Sequence, residues 1–374
     1  MQPIALKSFH IKNYRGIIDT QIDNIPDNTQ WIFLTGENGF GKTSVLQAIS
    51  EGLDDAYYSD AYETEPNKNM KVNTQINYED GYVLLLNDGT IRESYESHYV
   101  AYGSTRLRVS AGTSNEVLSK YSSTESLFSN EVLLVNVEEN FKDWQNNYEK
   151  GYVQLQDIFK ALLPRLKEIK VEFDEKVKKS KVKYYEIDDE ENQFDNGVEF
   201  IDLAAGYKSI IAMIGDMINR LNQMQYRENF NDLTGIVLID EIELHLHPKY
   251  QKLFVEKLTE LFPKIQFIVS THSPIPLLGA PKNSVIINVS RTREEGIKAE
   301  LLDIDFSVLT PNTILSSPIF GFQDLIPDSK SNDKMIRTED TFAELKFNDQ
   351  LKKDINTFLT KEKQEELLRI IKAS

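Results

Sequence analysis

Four residues near the N-terminus have the types and spacing of a phosphate-binding loop. Gly36, Gly41, Lys42 and Thr43 fit G-x-x-x-x-G-K-[ST], between an apolar run and a helix-forming segment. Glycines let successive N–H groups point at a phosphate, and the helix N-terminus adds partial positive charge. In this motif the lysine reaches the β- and γ-phosphates, and the threonine hydroxyl is a Mg²⁺ ligand. The stretch predicts a nucleotide site; the alternative is a glycine turn that binds no ligand.

Two further groups of chemically active residues each follow an apolar run. Asp240 and Glu241 come directly after the run 236–239, and His272 comes shortly after the run 265–269. A carboxylate at a strand end can hold Mg²⁺ through its water shell, and a second one can act as general base on a water. The Nε2 atom of His272 can reach a γ-phosphate; the alternative is a hydrogen-bonded surface histidine. Together with the glycine-rich loop, these groups predict an NTPase site.

The elements that must position these residues follow from the hydrophobic periodicity. A strand–helix–strand alternation with two buried apolar strands after the glycine-rich loop predicts a parallel α/β core. Segment 4–23 alternates with period two and is interrupted at 13–16, which predicts an antiparallel hairpin. Further expectations along the chain are a hairpin at 82–92, a Ser/Thr-rich loop at 110–129 and strands around an acidic turn at 188–196. Helices are expected at 141–169, with a break at Pro164, and at 203–221 and 250–261.

The composition limits which chemistry, binding partners and cellular location are compatible with this chain. The chain has 374 residues, a formal net charge of −17 and no cysteine, which removes disulfides and thiol chemistry. The charge argues against a surface that coats duplex DNA indiscriminately, and it suits a basic protein partner. Because no apolar leader and no run of membrane-spanning length is seen, we expect a cytoplasmic protein.

Four segments in order carry a family resemblance. GENGFGKT at 36–43, LAAGYKS at 203–209, IVLIDEIELHLHP at 236–248 and STHSP at 270–274 resemble the ABC-type ATPase heads of the SMC/RecF/OLD branch. That branch includes stand-alone ATPases of prokaryotic anti-phage systems, and the opening FHIKNYRG at 9–16 also fits it. The resemblance covers most of 1–325.

The resemblance implies a fold and a division of the chain. The fold is α/β: a P-loop NTPase of ABC-head type, with a mixed β-sheet, an antiparallel N-terminal hairpin and a small α/β lid in place of a coiled coil. The division is an N-terminal ATPase lobe at 1–140, the lid at 141–202, a C-terminal ATPase lobe at 203–326, and a linker with a helical tail at 327–374.

The resemblance also implies ATP and Mg²⁺ as cofactors, held between two copies of the chain. It assigns catalytic roles to Glu241, His272 and Lys42, and metal contacts to Thr43 and Asp240. The residues that it places around the nucleotide are Arg15, Gly36, Asn38, Gly39, Gly41, Lys42, Thr43, Ser44 and, across the dimer interface, Ala205, Gly206 and Tyr207.

Two positions depart from the family pattern. Ala204 stands where the family usually has a serine, and the loss of one hydrogen bond to the γ-phosphate weakens closure by roughly 0.5–1.5 kcal/mol. Lys208 or Ser209 could compensate. The segment 102–106 has Tyr-Gly-x-x-Arg where a metal-contacting glutamine is expected, so metal coordination from that side is in question.

Two other features have competing interpretations. His245 and His247, with Glu241 and Glu243, could bind a transition metal, although the resemblance assigns them to a loop that crosses to the partner copy. The basic run between Arg165 and Lys183 is either a solvated strand face or an edge that contacts DNA or a protein.

The resulting hypothesis is a homodimerising ATPase whose ATP cycle gates a partner effector, a nuclease, in anti-phage defence. The chain lacks the metal-nuclease domain that OLD proteins carry, so the lid or the tail is the candidate docking site for that partner. One alternative is a RecF-like clamp that uses ATP to hold DNA during repair. Another is a sequestering, antitoxin-like ATPase in which nucleotide stabilises the fold.

Overall fold

The computed structural model describes residues 2–53, 71–78, 83–86, 98–110, 114–175, 178–188, 190, 192–302 and 304. The helical tail predicted within 327–374 and the Asp-Gly turn of the hairpin predicted at 82–92 lie outside these residues. Among the described helices, none is long and apolar enough to cross a membrane.

One mixed sheet organises the described chain. In spatial order its strands are β5 (Val83–Leu86), β4 (Lys71–Tyr78), β1 (Ile4–Tyr14), β2 (Ile17–Ile22), β12 (Gly296–Leu302), β11 (Val285–Thr292), β3 (Trp31–Thr35), β10 (Ile265–Ser270), β9 (Gly235–Ile239) and β6 (Tyr99–Tyr102). From β11 to β6 neighbouring strands are parallel, and the other pairs are antiparallel. The mixed sheet and the N-terminal hairpin are confirmed; β11 and β12 are missing from the sequence prediction.

Six α-helices and a second hairpin are the other main elements among the described residues. They are α1 (Lys42–Leu53), α2 (Ser114–Lys120), α3 (Val137–Asn147), α4 (Glu149–Leu162), α5 (Ala205–Gln225), α6 (Pro248–Leu261), and the hairpin strands β7 (Leu166–Asp174) and β8 (Lys179–Glu186).

Two sequence expectations are wrong. The loop expected at 110–129 contains α2 and a 3₁₀ turn over Glu125–Leu127. The break expected at Pro164 is found, since helix α4 ends at Leu162 and proline disfavours the helical conformation in the residue before it, but residues 166–169, expected to be helical, are strand. Leu163 is accordingly extended (φ −118°, ψ 92°), and the chain continues as β7.

The side chains of the fully buried strand β3 alternate between two hydrophobic cores, one on each face of the sheet. Trp31 and Phe33 pack on one face of the sheet with α3, α4, α5 and α6, whereas Ile32 and Leu34 pack on the other face with α1 and the N-terminal hairpin. Successive side chains of a strand point to opposite faces, so a continuous apolar run fits a strand that is covered on both sides. The phosphate-loop helix and α5 therefore lie on opposite faces of one sheet.

The hairpin of β7 and β8 carries most of the basic run. Lys170 pairs with Glu168, and Lys181 and Lys183 both pair with Glu199. Since carboxylates alternate with these lysines, the described part of the run is a mixed-charge surface. The boundaries at 140, 202 and 326 stay predictions.

A fully buried glutamine joins the two halves of the sheet. At a register shift in β1, the N–H of Leu6 donates to Oε1 of Gln266 (2.8 Å), and Nε2 of Gln266 donates to the carbonyl of Thr29 (2.9 Å). Buried backbone groups need such partners because an unpaired one keeps its full desolvation cost.

We expect the nearly isosteric Gln266→Met substitution to lower the free energy of unfolding by about 2–5 kcal/mol, since it leaves two buried backbone groups unpaired. Urea denaturation followed by circular dichroism measures the change. Gln21→Met is the control, because Gln21 is exposed and bonds only to Asp23 among the described side chains. Equal midpoints for the two variants would contradict the assignment.

Candidate functional site

The carboxyl ends of four adjacent parallel strands deliver the chemically active residues to one edge of the sheet. These strands are β3, β10, β9 and β6. Backbone bonds continue past the strand ends: Asp240 donates to Tyr102 (2.8 Å), Ile242 to Ser270 (3.1 Å), and Thr271 to Leu34 (3.0 Å). The segments after the strands are therefore held in fixed register.

The glycine-rich loop after β3 needs glycine at specific positions. Gly36, Gly39 and Gly41 have φ values of 137°, 82° and 96°, which L side chains rarely adopt. A Cβ on Gly36 would lie 2.2 Å from the carbonyl oxygen of Val289, and one on Gly41 would lie 2.4 Å from Cδ1 of Ile297. Strands β11 and β12 thus support the loop from behind, leaving room for backbone only.

Lys42 begins α1 and is buried beneath the loop. Its Nζ donates to the carbonyls of Gly36 (2.8 Å) and Glu37 (3.0 Å). Burial lowers the pKa of Lys42, and the carboxylates of Glu243, Asp240 and Glu241 oppose that effect. The loop is shaped around a cation, and this charge together with the N-terminus of α1 suits a polyphosphate.

The Asp240 carboxylate connects β9 with its neighbours. It accepts hydrogen bonds from Oγ1 of Thr43 (2.8 Å) and from Oγ of Ser270. A hydroxyl and a carboxylate in contact provide the hard oxygen ligands that Mg²⁺ prefers. The residues present fit a magnesium–nucleotide complex, in which Thr43 and Asp240 would hold the metal.

Arg106 fixes the backbone of the two acidic residues. It is 2% exposed, and its guanidinium donates to the carbonyls of Asp240 (2.6 Å) and Glu241 (2.8 Å). Burial lowers the pKa of Arg106 to about 10, against the raising effect of nearby carboxylates. Glu241 itself has φ 49°, a left-handed conformation that is uncommon for a non-glycine residue. Arg106 and the hydroxyl of Ser270, which accepts from the Glu241 N–H (2.8 Å), hold it there.

His272 follows β10 and lies beside the acidic segment. Its Nδ1 is 2.8 Å from Oε1 of Glu243, and its side chain is 45% exposed. The structure therefore brings Lys42, Thr43, Asp240, Glu241 and His272 to the same edge of the sheet.

The N-terminus of α5 lies against the loop that follows Glu241. Ala204 is the N-cap and provides no capping side chain. A Cβ on Gly206 would lie 2.6 Å from the carbonyl oxygen of His245, and the Tyr207 hydroxyl accepts from the N–H of Arg165 (3.2 Å). Ala204 and Ala205 are exposed. The contacts described for Gly206 and Tyr207 are with these neighbours and not with the glycine-rich loop.

The remaining predicted residues lie around the loop and α1. Asn38 and Gly39 are exposed, and Ser44 is half-buried in the first turn of α1. Arg15 donates to the side chain of Gln47 and lies over the rings of Tyr14 and Phe128. Its contact with phosphate stays a prediction.

The transition-metal interpretation of His245 and His247 gains no support. Within the described ranges, no cluster of three or more histidine or acidic side chains is arranged to hold a metal. His247 is instead the N-cap of α6, where its Nδ1 accepts from the N–H of Lys249 (3.3 Å).

Comparison with known proteins matches these observations. Residues 110–275 match the family model described as AAA ATPase domain. The chain is 30% identical to Septu protein PtuA of Bacillus mycoides over 86% of its own length and 46% of that protein. It is 41% identical to the Retron Vc95 probable ATPase of Vibrio cholerae over 31% of this chain and 21% of that protein. The chain thus spans less than half the length of these curated relatives.

Among solved structures, the Smc head bound to the C-winged helix domain of ScpA matches 81% of this chain and 98% of its own. Its TM-score is 0.48 and its sequence identity is 15%.

The sheet, the glycine-rich loop and the acidic strand end define a P-loop NTPase of the ABC-head type. Part of the chain matches an ATPase family model, and its sequence relatives include Septu protein PtuA and the Retron Vc95 probable ATPase.

Three residues of this edge have roles that sequence reasoning does not assign. Arg106 is visible in the sequence only as the end of Tyr-Gly-x-x-Arg, and its carbonyl acceptors belong to residues more than 130 positions away. Ser270 and Glu243 stand inside recognised motifs, but nothing in their spacing shows which groups they contact.

We expect Arg106→Lys to lower kcat by about tenfold. A single ammonium cannot replace the two-pronged guanidinium that bonds two carbonyls. A loss of about 1.4 kcal/mol of transition-state stabilisation corresponds to a tenfold lower rate. The affinity for ATP should change by less than about threefold, since Arg106 contacts the acidic segment and not the glycine-rich loop. Steady-state ATPase kinetics and equilibrium nucleotide binding measure the two effects.

The matched control is Arg220→Lys, at a buried arginine that pairs with Asp216 (2.8 Å) away from the acidic segment. It should lower thermal stability while kcat stays within about twofold of the original value. An equal loss of kcat in both variants would show that Arg106 acts through general stability.

Proposed function

We propose that this chain is the ATPase component of an anti-phage defence system in the cytoplasm, in which ATP binds between two copies and its hydrolysis gates a partner effector. The names of its Septu and retron relatives support the defence role. The effector is proposed to be a nuclease supplied by another polypeptide, on the resemblance set out from the sequence.

The placement of the α5 N-terminus carries the two-copy proposal. It presents exposed Ala204 and Ala205, and its described packing is against the loop after Glu241 rather than against Gly36–Thr43. An open helix N-terminus is a suitable partner for a phosphate. A second copy would bring this N-terminus over the glycine-rich loop and complete the site.

The described side chains divide the chemistry among them. When bound, Mg²⁺ supplies charge neutralisation on the β- and γ-phosphates. Thr43 and Asp240 hold that ion, and Lys42 and the loop N–H groups hold the phosphates. Glu241 polarises the attacking water as general base, with its backbone fixed by Arg106. The Nε2 atom of His272 contacts the γ-phosphate.

The contact between Gly206 and His245 links the two halves of the proposed cycle. Because Gly206 touches the loop that begins at Glu241, closure over a partner's nucleotide and the placement of the base are mechanically connected. Hydrolysis would release the closed interface and the placed base together. The two resulting conformations, closed and open, are the states between which a bound effector can discriminate.

The alternative of a DNA clamp requires a continuous basic surface for phosphate neutralisation. Three lysines of the β7–β8 hairpin, Lys170, Lys181 and Lys183, are paired with Glu168 or Glu199, which interrupts such a surface. We therefore favour the effector-gating role.

We expect Glu241→Gln to trap a dimer when ATP and Mg²⁺ are added, because the site can close but cannot activate water. Size-exclusion chromatography with light scattering gives the mass with and without nucleotide. The matched control is the double variant with Lys42→Ala, which should stay monomeric because it cannot hold the phosphates. A monomer for Glu241→Gln at saturating ATP would contradict the two-copy site.

DNA binding that falls steeply with salt in the absence of any second protein would instead support the clamp.

We expect Ala204→Ser to raise the thermal midpoint and to tighten ATP-dependent dimerisation. Serine at an N-cap is about 1 kcal/mol more favourable than alanine, and its hydroxyl can also donate to a phosphate. Differential scanning calorimetry and the dimer dissociation constant separate the two effects. Ala161→Ser is the control, since position 161 lies in α4 and not at the N-terminus of α5. Stabilisation of the fold without tighter dimerisation would place Ala204 outside the phosphate contact.

A further inference from the structure

One buried carboxylate joins the loop after β9 to the loop after β10. Glu243 is 5% exposed, and its Oε1 accepts from the backbone N–H of His272 (2.7 Å) and lies 2.8 Å from the ring Nδ1 of the same residue. Glu243 thus holds both the main chain and the ring of His272.

All the hydrogen bonds described for this carboxylate go to His272. The second oxygen, Oε2, is buried and has no hydrogen-bond partner among the described residues. A buried carboxylate with few partners is costly, so its retention needs a compensating interaction. The cations of Lys42 and Arg106 provide one: burial lowers the pKa of each, and the Glu243 carboxylate opposes that effect in both. Glu243 therefore lies inside the electrostatic field of the site.

The geometry also determines which ring nitrogen of His272 is free to contact a ligand. The Nδ1 atom faces a buried acceptor, so it carries the proton that the hydrogen bond requires. Since the side chain is 45% exposed, the opposite edge of the ring, with Nε2, is left for a ligand. A histidine whose ring can rotate would not present Nε2 consistently.

We propose that Glu243 is a positioning residue that acts through His272. It fixes the ring in the Nδ1–H form, with Nε2 directed at the γ-phosphate of the bound nucleotide, and it is distinct from the general base Glu241. The phosphate contact rests on the proposed function; the tautomer and orientation do not.

The first test reads the ring directly. In protein labelled with ¹⁵N-histidine, the chain's five histidines give few ring signals, and a His272→Asn spectrum identifies those of His272. We expect the Nδ1–H form in the unmodified protein at a pH where the ring is neutral, and a shift toward the Nε2–H form in Glu243→Ala. An Nε2–H form in the unmodified protein, or no change in the variant, would overturn the proposal.

Glu51→Ala is the matched control for this measurement. Glu51 is also 5% exposed, but it accepts from the hydroxyl of Tyr14 (2.8 Å) on the face of α1. The ring signals of His272 should be unchanged in this variant. If they shift to the same extent, the effect reports loss of a buried carboxylate in general, and the proposal fails.

The second test is a double-mutant cycle in kcat. We expect Glu243→Ala and His272→Ala each to lower kcat by about tenfold or more, with the double variant within about twofold of His272→Ala alone. The two losses would multiply if Glu243 acted independently of His272, and that result would overturn the proposal. An unmodified protein without ATPase activity would refute the proposed function, whereas the ring spectra would still decide the role of Glu243.

Glu243→Gln covers the case in which the alanine variant does not fold. The amide keeps an oxygen acceptor, so the Nδ1–H form and most of the activity should persist. If the Nδ1–H form persists while kcat falls as far as in His272→Ala, the charge of Glu243 matters rather than its positioning of the ring, and the proposal is wrong.

Discussion

The arrangement of the site depends on the carboxylate of Asp240. It accepts from Thr43 at the start of α1 and from Ser270 at the end of β10, while the Asp240 carbonyl accepts from Arg106 after β6. One residue at the end of β9 thus ties together segments that follow four neighbouring strands. Because the ladder bonds continue beyond the strand ends, these segments cannot shift independently. This pre-organisation places hydroxyl, carboxylate and ammonium groups before any ligand arrives.

The sheet provides the rigidity that this junction needs. Its central strands are buried on both faces, and alternate side chains enter two separate cores. Helix α1 packs on one face and α5 on the other, so the glycine-rich loop and the N-terminus of α5 are connected through close-packed layers. Strands β11 and β12 add a second support: Val289 and Ile297 approach the glycine-rich loop so closely that only glycine fits at 36 and 41.

Local strain is concentrated at the acidic segment. Glu241 and His245 both have positive φ, and the turn between them packs against Gly206. A non-glycine residue in this conformation costs free energy that the surroundings must offset. Here Arg106 and Ser270 hold Glu241, and Glu243 holds His272 across the loop. Glu241 and His272, the residues proposed for hydrolysis, are therefore each held by residues that lie far from them in the sequence.

The sequence by itself determined the glycine-rich loop, the acidic strand end, the N-terminal hairpin and the central strands, because these depend on local spacing and on hydrophobic periodicity. It located Lys42, Thr43, Asp240, Glu241 and His272 for the same reason. It missed β11 and β12, the helix within 110–129, and the strand conformation of 166–169, where the apolar pattern continues past the break at Pro164 into β7. Only the tertiary structure decided the partners of Arg106, Glu243, Ser270 and Gln266. Those contacts join segments from about 30 to more than 250 residues apart, and their existence depends on which strands become neighbours in the sheet rather than on any pattern within one segment.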